Sequence, residues 1–211
     1  MPTDSKRKND PEGLKKKILS GALTVFAEFG MQGARLEQIA SEAATTKRMV
    51  VYHFQNKEQL YIAVLEKVYE QIRQYELGLN LSKLPPKEAL ITLVEKSFDY
   101  HISHADFMRL VCCENLLRGR YISQSSQIQS ANQTALEVLE NILSRGKSNG
   151  DFYTDLNVID VHRLISSICV HQVSNRYTFN ALFHSQQSNE EILARNRQLA
   201  VTAVLRYVCI K

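Results

Sequence analysis

The chain has 211 residues, enough for one sizeable core or for a small domain joined to a larger one. A hydrophobic fraction of 44% excludes a disordered chain, and only 4 prolines and 8 glycines favour long helices over many short strands. The net charge of +4 is uneven: residues 1–60 hold 10 Lys and Arg against 7 Asp and Glu, the remainder 16 against 15. A basic excess near the N-terminus fits a nucleic-acid contact surface. No apolar run is long enough to span a membrane, and the polar, basic start from Met1 to Lys17 lacks the apolar centre of a secretory signal. A cytoplasmic location is therefore expected. Cys112, Cys113, Cys169 and Cys209 form no C-x-x-C pair, so they are read as buried thiols rather than zinc ligands.

In chain order, residues 1–12 read as a flexible basic arm. Ile18, Ala22, Val25, Phe26 and Phe29 recur at helical spacing and predict a first helix from about Leu14 to Phe29, stopped by Gly30. Leu36, Ile39, Ala40 and Ala43 predict a short second helix over 36–43. A third follows from Lys47 to His53, with Thr46 placed to cap it. Two short helices joined this tightly must cross steeply, which is the helix-turn-helix arrangement. Val50 and Phe54 are expected to face a small core with Phe26 and Ile39.

A long fourth helix runs from near Asn56 to Leu79 on the stripe Leu60, Ala63, Val64, Val68 and Ile72. Pro85 and Pro86 break the chain and open a fifth to His104; a sixth covers Ala105–Leu117 and a seventh Ser125–Arg145. Gly146–Asn157 reads as a loop. An eighth helix is expected over 158–184 and a ninth over 189–208. Val161, Leu164, Ile165, Ile168 and Val173 cover more than one face of the eighth, and Leu193, Leu199, Val204, Tyr207 and Val208 do likewise on the ninth. Such breadth predicts burial against both the core and a second subunit. The expected fold is all-α: an N-terminal three-helix helix-turn-helix domain over 13–60 (motif about 34–53) and a C-terminal helical bundle over 61–211. About nine helices are counted in all.

The run Gly30–Leu60, GMQGARLEQIASEAATTKRMVVYHFQNKEQL, resembles the DNA-binding domain of the tetracycline-repressor (TetR) family. The matching residues are Gly30, Ile39-Ala40, Tyr52-His53-Phe54 and Lys57-Glu58-Gln59-Leu60, over about residues 14–65. The resemblance implies a homodimer through the last two helices, binding double-stranded operator DNA. It further implies a repressor released by a small-molecule effector held in the C-terminal bundle. On the third helix, Thr45, Thr46, Lys47, Arg48 and Met49 are the residue types that read base edges in a major groove. By resemblance Tyr52 and His53 contact phosphates. Lys57, at the fourth helix's start, suits a phosphate, and Arg35 and Gln38 add backbone or base contacts. The sequence departs from the family pattern at Ala34, where a threonine commonly caps the second helix, and at Ala44-Thr45, where Gly-Val is usual. Val51 also replaces a common aromatic. A positive φ at Ala44 would be strained.

Candidate pocket residues are polar or aromatic side chains within otherwise apolar stretches: Phe98, Phe107, Arg109, Cys113, Asn115, His171, Asn175, Arg176 and Tyr177. Asn115, Arg118 and Arg120 alternatively organise a helix end near Gly119. His101 and His104 form an i, i+3 pair without a third ligand, and neither a metal nor a cofactor is expected. Gly146-Lys147-Ser148-Asn149-Gly150 matches G-x-S-x-G, but the segment before it is helical in period rather than a strand, so it reads as a helix stop and no enzyme is expected. Two alternatives stay open: a DNA-binding factor of the same fold that senses no ligand, and a small α-helical enzyme. The stretches Gly33–Ala40 and Tyr61–Leu65 are similar to the family's pyrimidine-catabolism regulators, which implies an aromatic or heterocyclic catabolic intermediate as effector.

Overall fold

The computed structural model describes residues 10–184 and 190–210. Among them are ten α-helices, and the only β pairing is the isolated bridge between Phe152 and Cys209. The chain divides into two compact units, residues 1–65 and 66–211. No helix of the described residues is long and apolar enough to cross a membrane.

In the first unit α1 spans Pro11–Gly33, α2 Leu36–Glu42 and α3 Lys47–Phe54. α1 starts three residues earlier than its apolar stripe suggests. Asp10 Oδ1 accepts from Gly13 N at 2.9 Å and Pro11 supplies the preset φ of a first helical residue. Of the expected arm only residues 10–12 are described; the rest lies outside the described residues. At Gly30 the backbone leaves the regular helix (φ 65°, ψ 176°), and one further turn follows. Ile18, Ala22, Phe26, Ile39, Val50, Phe54, Leu60 and Tyr61 bury together, with the Phe26 and Tyr61 rings edge-on at 4.9 Å.

α4 (Lys57–Gly78) supplies residues to both units, since the division falls at Leu65 and Glu66 within it. The second unit continues with α5 (Pro86–Ser103), α6 (Ala105–Leu116), α7 (Ser126–Ser148), α8 (Val158–Ser174), α9 (Arg176–Phe183) and α10 (Glu190–Val208). Its core gathers Leu90, Val94, Phe98, Leu139, Leu143, Phe152, Val161, Ile165, Val204 and Val208. Arg145 fastens α7 to the short 3-10 turn at Leu81–Lys83 by donating to the carbonyls of Leu81 (3.1 Å) and Leu84 (2.7 Å). Arg197 on α10 grips Glu95 at 2.8 Å and Asp99 at 3.0 Å on α5.

Three expectations are corrected here. Of the four cysteines read as buried thiols only Cys169 is buried, while Cys112, Cys113 and Cys209 are half-buried. The segment expected as one helix over 158–184 is two, α8 and α9, broken at Asn175 (φ −108°, ψ 2°). The Ser174 hydroxyl donates to Asn175 Oδ1 at 2.6 Å, and such short polar side chains offer local bonds that compete with the helix. The expected loop from Gly146 begins later, because α7 continues to Ser148. Gly146 stays helical so that the Phe152 ring can lie against it: a Cβ there would come within 2.0 Å of the ring. The G-x-S-x-G match thus falls on a helix end with a positive-φ Gly150 (77°), and no strand precedes it.

Candidate functional site

The first unit presents α3. Before it, α2 ends on a turn in which Ala44 N donates to Ser41 O at 3.0 Å and Thr45 N to Ala40 O at 2.8 Å. That double bond pattern closes a helix end when the residue after the cap is left-handed, and Ala44 is, with φ 50°. Thr46 then starts α3, its Oγ1 accepting from Met49 N at 3.3 Å. Val50 and Phe54 anchor one face in the core, while Arg48 and Tyr52 stand out on the other, Tyr52 77% exposed.

The remaining residues expected at DNA surround this helix. Lys47 Nζ meets Glu37 Oε1 at 2.8 Å, tying α3 to α2 and holding the Glu37 carboxyl below its usual range. Arg35 begins α2 from an exposed position, and Gln38 Oε1 accepts from Arg35 N at 2.9 Å. The structure places the N-cap at Arg35 rather than at the buried Ala34, and the Gln38 side chain satisfies the amide of that cap residue. Lys57 Nζ donates to the Ala34 carbonyl at 3.0 Å, pinning the start of α4 to the α1–α2 turn. Thr45, Met49 and His53 are half-buried; the His53 ring lies 5.2 Å from that of Tyr52, and its Nε2 is buried without a hydrogen bond among the described residues.

The second unit holds a cavity of 230 Å³. α4 contributes Tyr69, Ile72, Arg73 and Glu76, α5 Ser97 and His101, α6 Phe107 and Met108, α7 Asn132 and Leu139, and α8 His162 and Ile165. Arg73 is only 9% exposed and its Nη1 meets Glu76 Oε2 at 2.6 Å, while its Nε is buried with no partner. Burial pushes the Glu76 carboxyl up against the opposing pull of Arg73. Burial also pushes the His101 and His162 imidazoles down and the Tyr69 phenol up. Burial thus favours the neutral forms of Glu76, Tyr69, His101 and His162, opposed at Glu76 by the pull of Arg73. A shallower depression of 360 Å³ shares Glu76 and Val138 with it.

Comparison with known proteins agrees with both halves. Residues 18–64 match the model of the bacterial regulatory proteins of the tetR family, and residues 86–204 that of the tetracyclin repressor-like C-terminal domain. The chain belongs to the TetR family. It is 35% identical to the transcriptional repressor NicS of Pseudomonas putida over 164 residues, 78% of this chain and 77% of that protein. It is 36% identical to the regulator RutR of Escherichia coli over 116 residues, 55% of this chain and 54% of that one. The fold matches a TetR-family regulatory protein from Rhodococcus with a TM-score of 0.72 at 17% identity, over 94% of this chain and 98% of the other. FadR from Bacillus subtilis, solved with stearoyl-CoA, matches with a TM-score of 0.69 at 18% identity, over 92% and 98%. As a TetR-family protein the chain is a transcriptional regulator, and family and relatives alike point to a transcription factor rather than an enzyme.

Within this TetR-family bundle the expected pocket residues fall in several places, although Arg109 and Arg176 both hydrogen-bond the Tyr177 hydroxyl at an exposed site outside the cavity. Phe107 lines the cavity. Phe98 lies in the core of the second unit. Arg109 is exposed beside Asp106 at 3.5 Å, Cys113 is half-buried, and Asn115 donates to the Val111 carbonyl at 3.0 Å on the exposed end of α6. His171 packs edge-on against Phe179 at 5.9 Å, Asn175 separates α8 from α9, and Arg176 donates to the Tyr177 hydroxyl at 3.1 Å. The helix end near Gly119 is organised by Arg118 and Gly119, both with positive φ (58° and 68°), and by the buried Glu114, whose Oε2 accepts from Tyr121 N and Ile122 N. His104 stacks on Tyr100 at 3.9 Å while His101 faces the cavity, so the histidine pair points two ways. Sequence reasoning missed Arg73 and Glu76. Their signal was an i, i+3 charge pair set inside the apolar stripe Val68-Ile72 of α4 rather than opposite it.

Proposed function

We propose that this TetR-family protein is a repressor that reads operator DNA with α3 as a homodimer and leaves it when a small molecule fills the cavity of the second unit. The observation that carries the reading is α3 itself: capped by Thr46, anchored by Val50 and Phe54, and bare at Arg48 and Tyr52. Arg48 suits a guanine edge, with Lys47, Thr45, Thr46 and Met49 around it. Tyr52, His53, Lys57, Arg35 and Gln38 then serve phosphates and orientation. The second subunit would pack on α8–α10, where Tyr177, Leu182, Phe183, Leu199 and Tyr207 are exposed, and would place two copies of α3 about 34–36 Å apart, one turn of DNA. Partner DNA places the protein's work in the cytoplasm.

Coupling would run along α4. Lys57 and Leu60 belong to the first unit, Tyr69, Arg73 and Glu76 to the cavity, and the helix between them contains no glycine or proline. The ligand must bind the two states unequally, and a difference of about 1–3 kcal/mol is typical. The test is a fluorescence-polarisation titration of DNA flanking the protein's own gene, at several salt concentrations, with and without a metabolite panel. Tight, salt-sensitive binding that one compound releases is expected. Specific binding that no compound disturbs overturns the ligand-released reading, and no specific binding at low salt overturns the operator reading.

A further inference from the structure

Among the described residues, Arg73 Nε is a cavity-lining side chain's buried donor with no acceptor. We propose that the cavity's ligand is a compact organic carboxylate, taken by the guanidinium of Arg73, whose buried Nε must turn towards the cavity to complete the pair. The inference rests on the reading of this cavity as the effector site and adds the ligand's chemical class. A buried donor without an acceptor is costly, and Arg73 Nε is such a donor on a side chain only 11% exposed. Nη1 is spent on Glu76, which leaves the Nε–Nη2 edge. That edge is the planar fork that matches the two oxygens of a carboxylate.

Two other polar side chains of the lining are already engaged. Asn132 Nδ2 already donates to the Ile128 carbonyl at 2.8 Å, and His101 Nδ1 is engaged with the Ser97 carbonyl. Burial favours the neutral forms of His101 and His162, so neither adds a fixed positive charge to match that of Arg73. A cationic ligand would find Glu76 already taken and Arg73 repelling it. A neutral amide would offer Arg73 one oxygen where an acid offers two. Glu76 holds the far side of the guanidinium through Nη1 and leaves the Nε–Nη2 edge clear. Size is set by the walls: 230 Å³ lies below the roughly 300–1,000 Å³ of sites for drug-sized ligands, and Phe107, Ile72 and Leu139 offer apolar surface for a single ring or short chain.

The experiment is isothermal titration of the full-length protein with matched acids and amides: benzoate and benzamide, cyclohexanecarboxylate and its amide, hexanoate and hexanamide. At least one acid is expected to bind about tenfold or more tightly than its amide, a difference of about 1.4 kcal/mol. Arg73→Lys keeps the charge but loses the fork, and should cost that acid about tenfold while leaving the amide unchanged. The double variant Arg73→Met with Glu76→Met removes both charges together and should erase the preference; thermal melting reports whether each variant is folded, and Arg73→Lys decides if the double variant is not. Amides that bind as tightly as their acids, an acid preference that survives both substitutions, or no acid bound below about 10 mM overturns the inference. Operator binding of the unliganded wild type is measured alongside. Its absence would sink the repressor reading alone, whereas intact operator binding with no acid preference would sink only this one.

Discussion

Ala44→Gly should make the protein more stable, and the reason is local. Ala44 occupies the left-handed position after α2 with φ 50°. For an L-residue with a Cβ that conformation costs about 1–2 kcal/mol, and glycine escapes the cost. Glycine gives back about 0.4–1 kcal/mol through the greater freedom of its unfolded chain. The alanine methyl is exposed, so its removal opens no cavity. The net gain is about 0.5–1 kcal/mol, which corresponds to roughly 1–4 °C in melting temperature for a chain of this size. Both turn bonds, Ala44 N to Ser41 O and Thr45 N to Ala40 O, should persist, since they need the backbone conformation rather than the side chain. Differential scanning calorimetry of the two proteins measures the gain, and operator titration checks that α3 is still presented. A variant that melts at or below the wild-type temperature would refute the claim that the turn is strained.

Arg48→Ala should leave the melting temperature unchanged and lower the preference for operator over random DNA by about 5- to 150-fold, whereas Lys57→Met should destabilise the first unit and weaken binding to all sequences; melting curves paired with two-DNA titrations separate the two. Gly146→Ala should cost about 1–3 kcal/mol or more, because the new methyl would lie 2.0 Å from a Phe152 ring carbon, and a wild-type melting curve would contradict the contact. Cys169, whose thiol burial pushes up to about 12, should resist a thiol reagent in the folded protein while Cys112, Cys113 and Cys209 react; timed labelling with and without denaturant counts them. His162 has a folded pKa held below its ordinary 6.5, so the unfolded chain binds the proton first and stability is lost as pH falls through about 6.5. His162→Asn should flatten the fall in melting temperature between about pH 7 and 5, measured as a difference from wild type so that the opposite contribution of Glu76 cancels; equal slopes would refute it.

What the sequence revealed was what depends on neighbours in the chain. Thr46 caps α3 and Gly30 turns out of α1 because each acts on backbone groups within a few residues. Ile39, Val50, Phe54 and Phe26 declare one face by period alone, and they are the buried ones. The same local logic misjudged two ends. A polar step at Ser174-Asn175 divides an otherwise continuous apolar pattern, and Gly146 remains inside α7 because its place is set by Phe152 across the loop, which no local pattern encodes.

The cavity was hidden for a different reason. Its lining comes from five helices, α4 to α8, so no spacing along the chain groups Tyr69, Ser97, Phe107, Asn132 and His162. Single polar residues in apolar stretches proved an unreliable guide, since a side chain such as Asn115 can spend its polarity on its own helix, through the Val111 carbonyl. An exposed i, i+3 pair such as Arg73 and Glu76 would form on a helix surface is worth a few tenths of a kcal/mol. Burial reverses that estimate. An ion pair withdrawn from water pays a desolvation cost that a single contact between the partners repays only in part, and the orphaned Nε of Arg73 shows that some of it is left unpaid. A ligand that supplies the missing acceptor is therefore bound partly at the expense of the empty state. That advantage is specific to groups able to reach Nε, and it disappears when Arg73 does.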